Sequence, residues 1–336
     1  MKDLYIPKNY KNKLDLITTQ VAIKFVKDSF EKSLAENLNL TRVSAPILVF
    51  SDTGLNDDLN GVERAVKFDI LGLNGKNAEI VHSLAKWKRT ALKKYGFKKG
   101  SGLYTDMNAI RRDDSIDNIH SIYVDQWDWE KVISSEDRTV EYLKNTVSTI
   151  VSVLYDVNEN AKKLFPTLDL KLNKEVKFIT TLEAEELYPD LTAKERENAL
   201  AKKYGSVFLM QIGNKLRNGK PHDGRAPDYD DWALNGDILI YNEVLDSAFE
   251  ISSMGIRVDE NSIISQLKER GMENRLEYDY HKAIVNKELP LTIGGGIGQS
   301  RLCMLILQKA HIGEVQASLW PDGLEEEAKK YGIEIL

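Results

Sequence analysis

Cysteine is nearly absent from this chain. The single one among 336 residues, Cys303, excludes an internal disulfide and any metal site built from clustered cysteines. Long apolar runs are missing too. None approaches the ~20 residues that cross a bilayer, and the opening MKDLYIPKNY lacks the apolar core of a signal peptide, so a cytoplasmic location is expected. There is no basic excess: 46 Lys and Arg against 52 Asp and Glu leave a formal charge of −6, which disfavours a nucleic-acid partner. Repeats, low-complexity tracts and Pro/Gly/Ser linkers are also lacking, so nothing marks a domain boundary in a chain long enough for a full core.

What is present reads as alternating helices and strands. Ile17, Val21, Phe25, Phe30, Leu34 and Leu38 recur at near-helical spacing and predict an amphipathic helix in need of a partner surface. Residues 41–50 (TRVSAPILVF) read as a strand in which Pro46 demands an edge or an interface. Helix and strand together make either a dimer element or the kinked edge of a monomer. Residues 52–61 (DTGLNDDLNG) form an acidic loop, and strands at 62–69 and 78–82 are joined through the hairpin cue Asn74-Gly75. The helical stretch HSLAKWKR follows, its Lys86, Lys88 and Arg89 reading as a solvated basic face.

Residues 102–130 are the densest in unusual side chains. Arg111 and Arg112 end a strand, a loop follows, and 121–129 alternates as a return strand carrying Gln126 and Asp128, with one slip of register around Gln126. Such a pair would hold a phosphate on one side and an ammonium on the other, unless Arg111 merely pairs with structural carboxylates. A long helix over 134–164, a strand over 176–180, a helix–turn–helix over 181–204 and a buried strand over 205–212 come next. HDGRAPDYDDW then packs four carboxylates around Arg225 without helical or strand period. Asn235-Gly236 reads as a turn into a strand pair on which Asp237 and Glu250 meet across the sheet. They would repel unless a cation lay between them, and hard oxygen ligands are what Mg²⁺ prefers. After helices at 262–267 and 276–285, LTIGGGIGQSRLCMLIL reads as a glycine turn into a helix. It is either a close-approach seat for an anion or nucleotide under Arg301, or a structural turn.

Three of these blocks stand in a familiar order. Pro46 after a long helix, the 111–129 block and GGGIGQSR ending in Arg301 resemble motifs 1, 2 and 3 of the class II aminoacyl-tRNA synthetase fold. Within that superfamily HSLAKWKR, YVDQWDWE, RAPDYDDW, LNGDILI, FEISSMGIRVD and TIGGGIGQSR together are similar to the ammonia-dependent asparagine synthetases, the aspartate–ammonia ligase family. The likeness covers nearly the whole chain and is weakest at 113–118. It implies an α+β fold: a class II synthetase-like antiparallel β-sheet flanked by helices, one catalytic domain over 1–336, and a homodimer through the motif 1 helix and strand. No nucleic-acid or membrane partner is expected.

The same resemblance implies ATP-dependent conversion of L-aspartate and ammonia to L-asparagine through β-aspartyl-AMP, with Mg²⁺ as cofactor. It assigns catalysis to Arg111, Arg301 and Lys88, and ATP to Arg111, Arg257, Gly294, Gly295, Gly296 and Arg301. The metal falls to Asp237 and Glu250, and aspartate and ammonia to Asp57, Lys88, Gln126, Asp128, Asp230, Ser252 and Ser253. In synthetases that activate the α-carboxylate of aspartate, a lysine in the place of Lys88 holds the side-chain carboxylate. Activation of the β-carboxylate reverses the amino acid, so Lys88 would grip the α-carboxylate. Glutamine as nitrogen donor usually needs an activated cysteine, and Cys303 sits in the apolar stretch RLCMLIL, where packing is the expected role.

Overall fold

A computed structural model describes residues 4–57, 59 and 63–336. Asp58, Asn60 and Gly61 of the acidic loop, and Val62 at the head of the strand expected after it, lie outside the described residues, as do residues 1–3.

Helix α1 (Leu16–Leu38) starts where the Asp15 carboxylate accepts from the Thr18 N–H and stops at Asn39, whose left-handed backbone, φ 57°, breaks the ladder. Its buried row is Ala22, Val26, Phe30, Leu34 and Leu38. The row read from the sequence is therefore correct from Phe25 onward, Phe25 packing half-buried against the core, whereas Ile17 and Val21 face outward, 71% and 57% exposed. Pro46 divides the expected strand into two: β1 (Leu40–Arg42) and β2 (Leu48–Phe50) belong to different sheets. The smaller sheet takes β2, β3 (Lys67–Ile70) and β4 (Lys76–Ile80), with Asn74 and Gly75 at positive φ between the last two.

The chain continues through α2 (Ala85–Tyr95), β5 (Gly102–Ile110), β6 (Tyr123–Val132), α3 (Val140–Leu164) and β7 (Lys177–Thr180). Helices α4 (Thr181–Leu187) and α5 (Ala193–Tyr204) precede β8 (Ser206–Met210), β9 (Asp230–Asn242) and β10 (Ser247–Arg257). Last come α6 (Glu260–Arg270), α7 (Asp279–Val285), β11 (Thr292–Gly298), α8 (Gln299–Ile306) and α9 (Leu324–Lys329). Among the described residues no helix is long and apolar enough to cross a membrane. Helix α3 begins at Val140, with the first residue of its apolar period and later than the expected start at Ser134, because Asp137 first folds back onto the Ser134 N–H and hydroxyl and Thr139 then caps the helix.

The main sheet runs β1-β5-β6-β11-β10-β9-β8-β7. It is antiparallel except at its edges, where β1 lies parallel to β5 and β7 parallel to β8. Side-chain alternation sorts its two faces. Trp127, Trp129, Phe208, Ile238, Phe249 and Ile293 pack with Phe30 of α1, Val147 of α3 and Leu302 of α8 into the principal core. On the other face Leu200 of α5 covers Val207, Leu209 and Leu239, while Ala91 and Leu92 of α2 cover Leu103. Between these two covers the sheet is open.

Three expectations about strands need correction. β6 pairs with β5 and β11 without interruption, from Gly102↔Lys131 to Ile110↔Tyr123, so there is no slip at Gln126. Ile122 simply precedes the strand, and Gln126, Asp128 and Glu130 share one face. The glycines at 294–298 are not a turn but strand β11, and none has positive φ. They are small because neighbours crowd them: a Cβ on Gly295 would stand 2.5 Å from Met254 Cβ, and one on Gly296 2.5 Å from Gln126 Oε1. At the start of α8 the Ser300 donors are already taken, because Asp125 accepts from the Ser300 N–H at 3.0 Å and the Ser300 hydroxyl at 2.8 Å.

Asn235-Gly236 likewise lies inside β9 rather than in a turn. A Cβ on Gly236 would come within 2.4 Å of the Leu209 carbonyl oxygen, a backbone atom that cannot swing aside. Gly236→Ala is therefore expected to cost about 2–4 kcal/mol of stability, read as a lower urea midpoint at unchanged slope.

Candidate functional site

The open face holds a cleft of about 570 Å³, within the range of small-molecule sites. Its floor is contributed strand by strand: Gln126 and Asp128 from β6, Gly295 and Gly296 from β11, Glu250 and Ser253 from β10, Asp230 and Asp237 from β9. Asp57, Lys88 of α2, Arg111 just past β5, Arg225, Arg257 and Arg301 of α8 line it as well. Nearly all the residues singled out in the sequence thus converge on one cavity.

A β-bulge sets part of this floor. Glu250 pairs with Leu239 and Ser252 with Ile238, which leaves Ile251 as the extra residue. Glu250 and Ser253 consequently both line the cleft although they are three positions apart. Ser252, expected in the site, does not line it; its hydroxyl is buried with no hydrogen-bond partner among the described residues. Gly294 is also set back. A Cβ there would meet Glu130 Oε2 at 2.7 Å and Arg257 Nη2 at 2.8 Å, so its smallness admits that ion pair rather than a ligand.

The supposed solvated basic face is buried. Lys86, Lys88 and Arg89 are each at most 2% exposed. Arg89 donates to the carbonyls of Pro290 and Val258. Lys88 Nζ donates to Asp128 Oδ1 at 2.6 Å and to the Gly295 carbonyl at 3.0 Å. Burial lowers the Lys88 pKa, with Asp128 opposing. An ammonium carries three donors, so two are spent on the floor and one remains for the cleft.

The carboxylates are held as firmly. Asp57 accepts from the Ser83 hydroxyl at 3.0 Å and the Leu59 N–H at 2.9 Å, and burial raises its pKa against the pull of Lys86. Arg257 donates twice to Glu130 Oε2, at 3.1 and 3.0 Å, and also to Asp230. Its guanidinium is a buried strut as much as a cleft wall. Arg111 donates to the His82 carbonyl at 3.3 Å through Nε and Nη2.

Asp237 and Glu250 are not direct cross-strand partners: Asp237 faces Ser253, and Glu250 sits diagonally beyond. Each has a guanidinium of its own. Arg225 Nη2 bonds Asp237 Oδ1 at 2.6 Å while Nη1 reaches the Ser253 hydroxyl. Arg301 Nη1 lies 3.8 Å from Glu250 Oε2 and donates to its carbonyl at 3.1 Å. Burial raises the Asp237 pKa, Arg225 opposes and Glu250 adds to the rise. Arg225 is the site residue that sequence reasoning passed over. Its one signal was a lone arginine inside the aperiodic, carboxylate-rich RAPDYDDW.

Comparison with known proteins adds an independent line. The model of the family described as aspartate-ammonia ligase matches residues 17–332. The aspartate–ammonia ligase of Ruminiclostridium cellulolyticum is 59% identical over 336 residues, covering 100% of both chains. That of Clostridium tetani is 60% identical over 333 residues, 99% of this chain and 98% of the relative. Among solved structures, asparaginyl-tRNA synthetase from Pyrococcus horikoshii complexed with asparaginyl-adenylate superposes with a TM-score of 0.64 at 20% identity, over 90% of this chain and 70% of that one. Asparaginyl-tRNA synthetase from Entamoeba histolytica gives a TM-score of 0.61 at 16% identity, over 90% and 67%. At such identities the likeness is one of fold, the class II aminoacyl-tRNA synthetase fold.

Proposed function

The chain belongs to the aspartate–ammonia ligase family and is a ligase, and from that premise we propose that it makes L-asparagine from L-aspartate, ammonia and ATP in two steps. In the first, a β-carboxylate oxygen of aspartate attacks the α-phosphorus and the bond to pyrophosphate breaks, giving β-aspartyl-AMP. In the second, ammonia attacks the acyl carbon, the bond to AMP breaks, and the extra proton on nitrogen leaves to solvent or a carboxylate.

One observation carries this reading: Lys88 with Asp128, the carboxylates Asp57 and Asp230, and the guanidiniums of Arg111 and Arg301 share a single cleft. The first step brings two anions together, so it needs positive charge and fixed alignment more than covalent help. Arg111 and Arg301 supply the planar donors that suit phosphate oxygens. The floor at Gly296, on the face of Gln126 and Asp128, has no side chain to keep a nucleotide away. Lys88 has a donor left for the α-carboxylate of aspartate, while Gln126, Asp128, Asp57 and Asp230 offer acceptors to its ammonium and to ammonia. Ser253, engaged by Arg225, stands beside them.

The donor set also suits the metal this family implies. Among the described residues no three His, Cys, Asp or Glu side chains converge as a closed cage, but Mg²⁺ commonly takes one or two carboxylates plus substrate phosphates and water. Asp237 and Glu250 would hold it, and when bound it neutralises part of the triphosphate charge. A homodimer is supported by the apolar surface beside motif 1, where Ile17, Val21 and Ile47 are 71%, 57% and 51% exposed. We place the enzyme in the cytoplasm, working as one catalytic domain.

Release of AMP and pyrophosphate from aspartate, ATP and ammonium tests the proposal directly. Both products should appear only when ammonium is present for turnover. AMP formed only when tRNA replaces ammonia would overturn it.

A further inference from the structure

Behind the wall of the cleft lies a buried cluster that the two steps above do not use. Asp228 Oδ2 receives three cationic or imidazole donors: Lys86 Nζ at 3.0 Å, Arg275 Nη1 at 2.9 Å and His281 Nε2 at 3.0 Å. Lys86 is 2% exposed, Asp228 and His281 not at all. None of Lys86, Asp228 and His281 lines the cleft. Asp228 Oδ1 and His281 Nδ1 are buried without a hydrogen-bond partner among the described residues. Such a cluster is costly to desolvate and is weak support for overall stability. What it does supply is a fixed geometry, because three groups from different parts of the chain converge on the single oxygen Asp228 Oδ2.

The geometry it fixes is that of two site carboxylates. Lys86 donates to the carbonyls of Gly54, at 3.2 Å, and Asn56, at 3.0 Å, while its charge pairs with Asp228. Asn56 immediately precedes Asp57. Asp228 stands two residues before Asp230, and the segment between is tied down by the Val258 N–H on the Tyr229 carbonyl. Asp57 sits in irregular backbone and Asp230 is the first residue of its strand. Neither has a ladder on both sides to set its distance from the other, and the Lys86–Asp228 pair joins the two segments directly.

We propose that Lys86, Asp228 and His281 are positioning residues that hold Asp57 and Asp230 at the spacing needed for the substrate ammonium and for ammonia. This inference rests on the aspartate and ammonia reading given above. It predicts a division of effects. Asp228→Asn, which keeps shape and removes charge, should raise KM for aspartate or ammonium about 10-fold or more while KM for ATP stays within about 2-fold, equivalent to ~1.4 kcal/mol confined to one part of the site. Lys86→Met should do the same more strongly, and Lys86→Arg, with a planar fork in place of three tetrahedral donors, should recover only part.

The test is steady-state kinetics of the full-length protein with each substrate varied in turn, alongside the thermal midpoint of each variant. A folded Asp228→Asn enzyme with unchanged aspartate and ammonium KM overturns the inference. So does a rise of all three KM values together, since that is a general distortion of the cleft rather than a loss of this one spacing. If Lys86→Met fails to fold, Asp228→Asn alone decides. Failure of the functional reading is distinguishable: a wild type that exchanges pyrophosphate with asparagine and not with aspartate would overturn that reading, and the same KM split would then be sought for asparagine.

Discussion

Arg301→Ala is expected to cut aspartate-dependent exchange of pyrophosphate into ATP by about a thousand-fold or more, on the scale found when an arginine stabilising phosphoryl-transfer charge is lost. The side chain is well placed for this. It leaves the first turn of α8, whose start is pinned by Asp125 accepting from both the N–H and the hydroxyl of Ser300. Its guanidinium stands 5.9 Å from the centre of the Phe249 ring and bonds the Glu250 carbonyl, so its direction is held before any substrate arrives. At 21% side-chain exposure it carries little of the core, and the thermal midpoint of the variant should stay near that of wild type. Arg301→Lys should restore only a small fraction, because one ammonium cannot replace a bidentate fork. Normal exchange by a folded Arg301→Ala enzyme would return the glycine strand and its arginine to a purely structural role.

Much of this site was legible because its chemistry is written in short contiguous blocks. Arg111 at a strand end, Gln126 and Asp128 on the return strand and Arg301 after the glycines all line the cleft as expected. What the sequence could not tell was whatever depends on partners far along the chain. Lys86, Lys88 and Arg89 look like a wet basic face until Asp228, Asp128 and the Pro290 carbonyl are brought to them from 40 or more residues away. Clustered glycines signal a turn by composition, yet here each one answers to a neighbour that crowds it: Met254 at Gly295, Gln126 at Gly296, the Leu209 carbonyl at Gly236. The bulge at Ile251 that sends Ser252 out of the site has no local signature at all, since it exists only in the pairing of β9 with β10. On α1 two apolar rows compete at nearly the same spacing, and packing on α3 and α8 chose Ala22 and Val26 over Ile17 and Val21.

Lys88 gives the sharpest test of how aspartate is oriented, because the structure makes two distinct costs of removing it separable. Lys88→Ala should raise KM for aspartate about 10- to 100-fold, the value of a hydrogen bond to a charged group, and leave KM for ATP within about 2-fold. It should also destabilise the fold by about 3–5 kcal/mol, since Asp128, itself 2% exposed, would be left buried without its cation. Pairing Lys88→Met with Asp128→Asn removes both charges and keeps the volume. That double variant should regain most of the stability but none of the aspartate affinity contributed by the ammonium. Stability is read from urea unfolding and affinity from KM, so the two effects need not be confused. If the folded double variant binds aspartate as wild type does, Lys88 is only a support for Asp128 and the α-carboxylate must be held elsewhere in the cleft. If affinity is lost while stability returns, and Asp128→Asn alone keeps most of the affinity, Lys88 itself holds a carboxylate of aspartate, as the reversed seating with its β-carboxylate toward Arg111 and Arg301 requires.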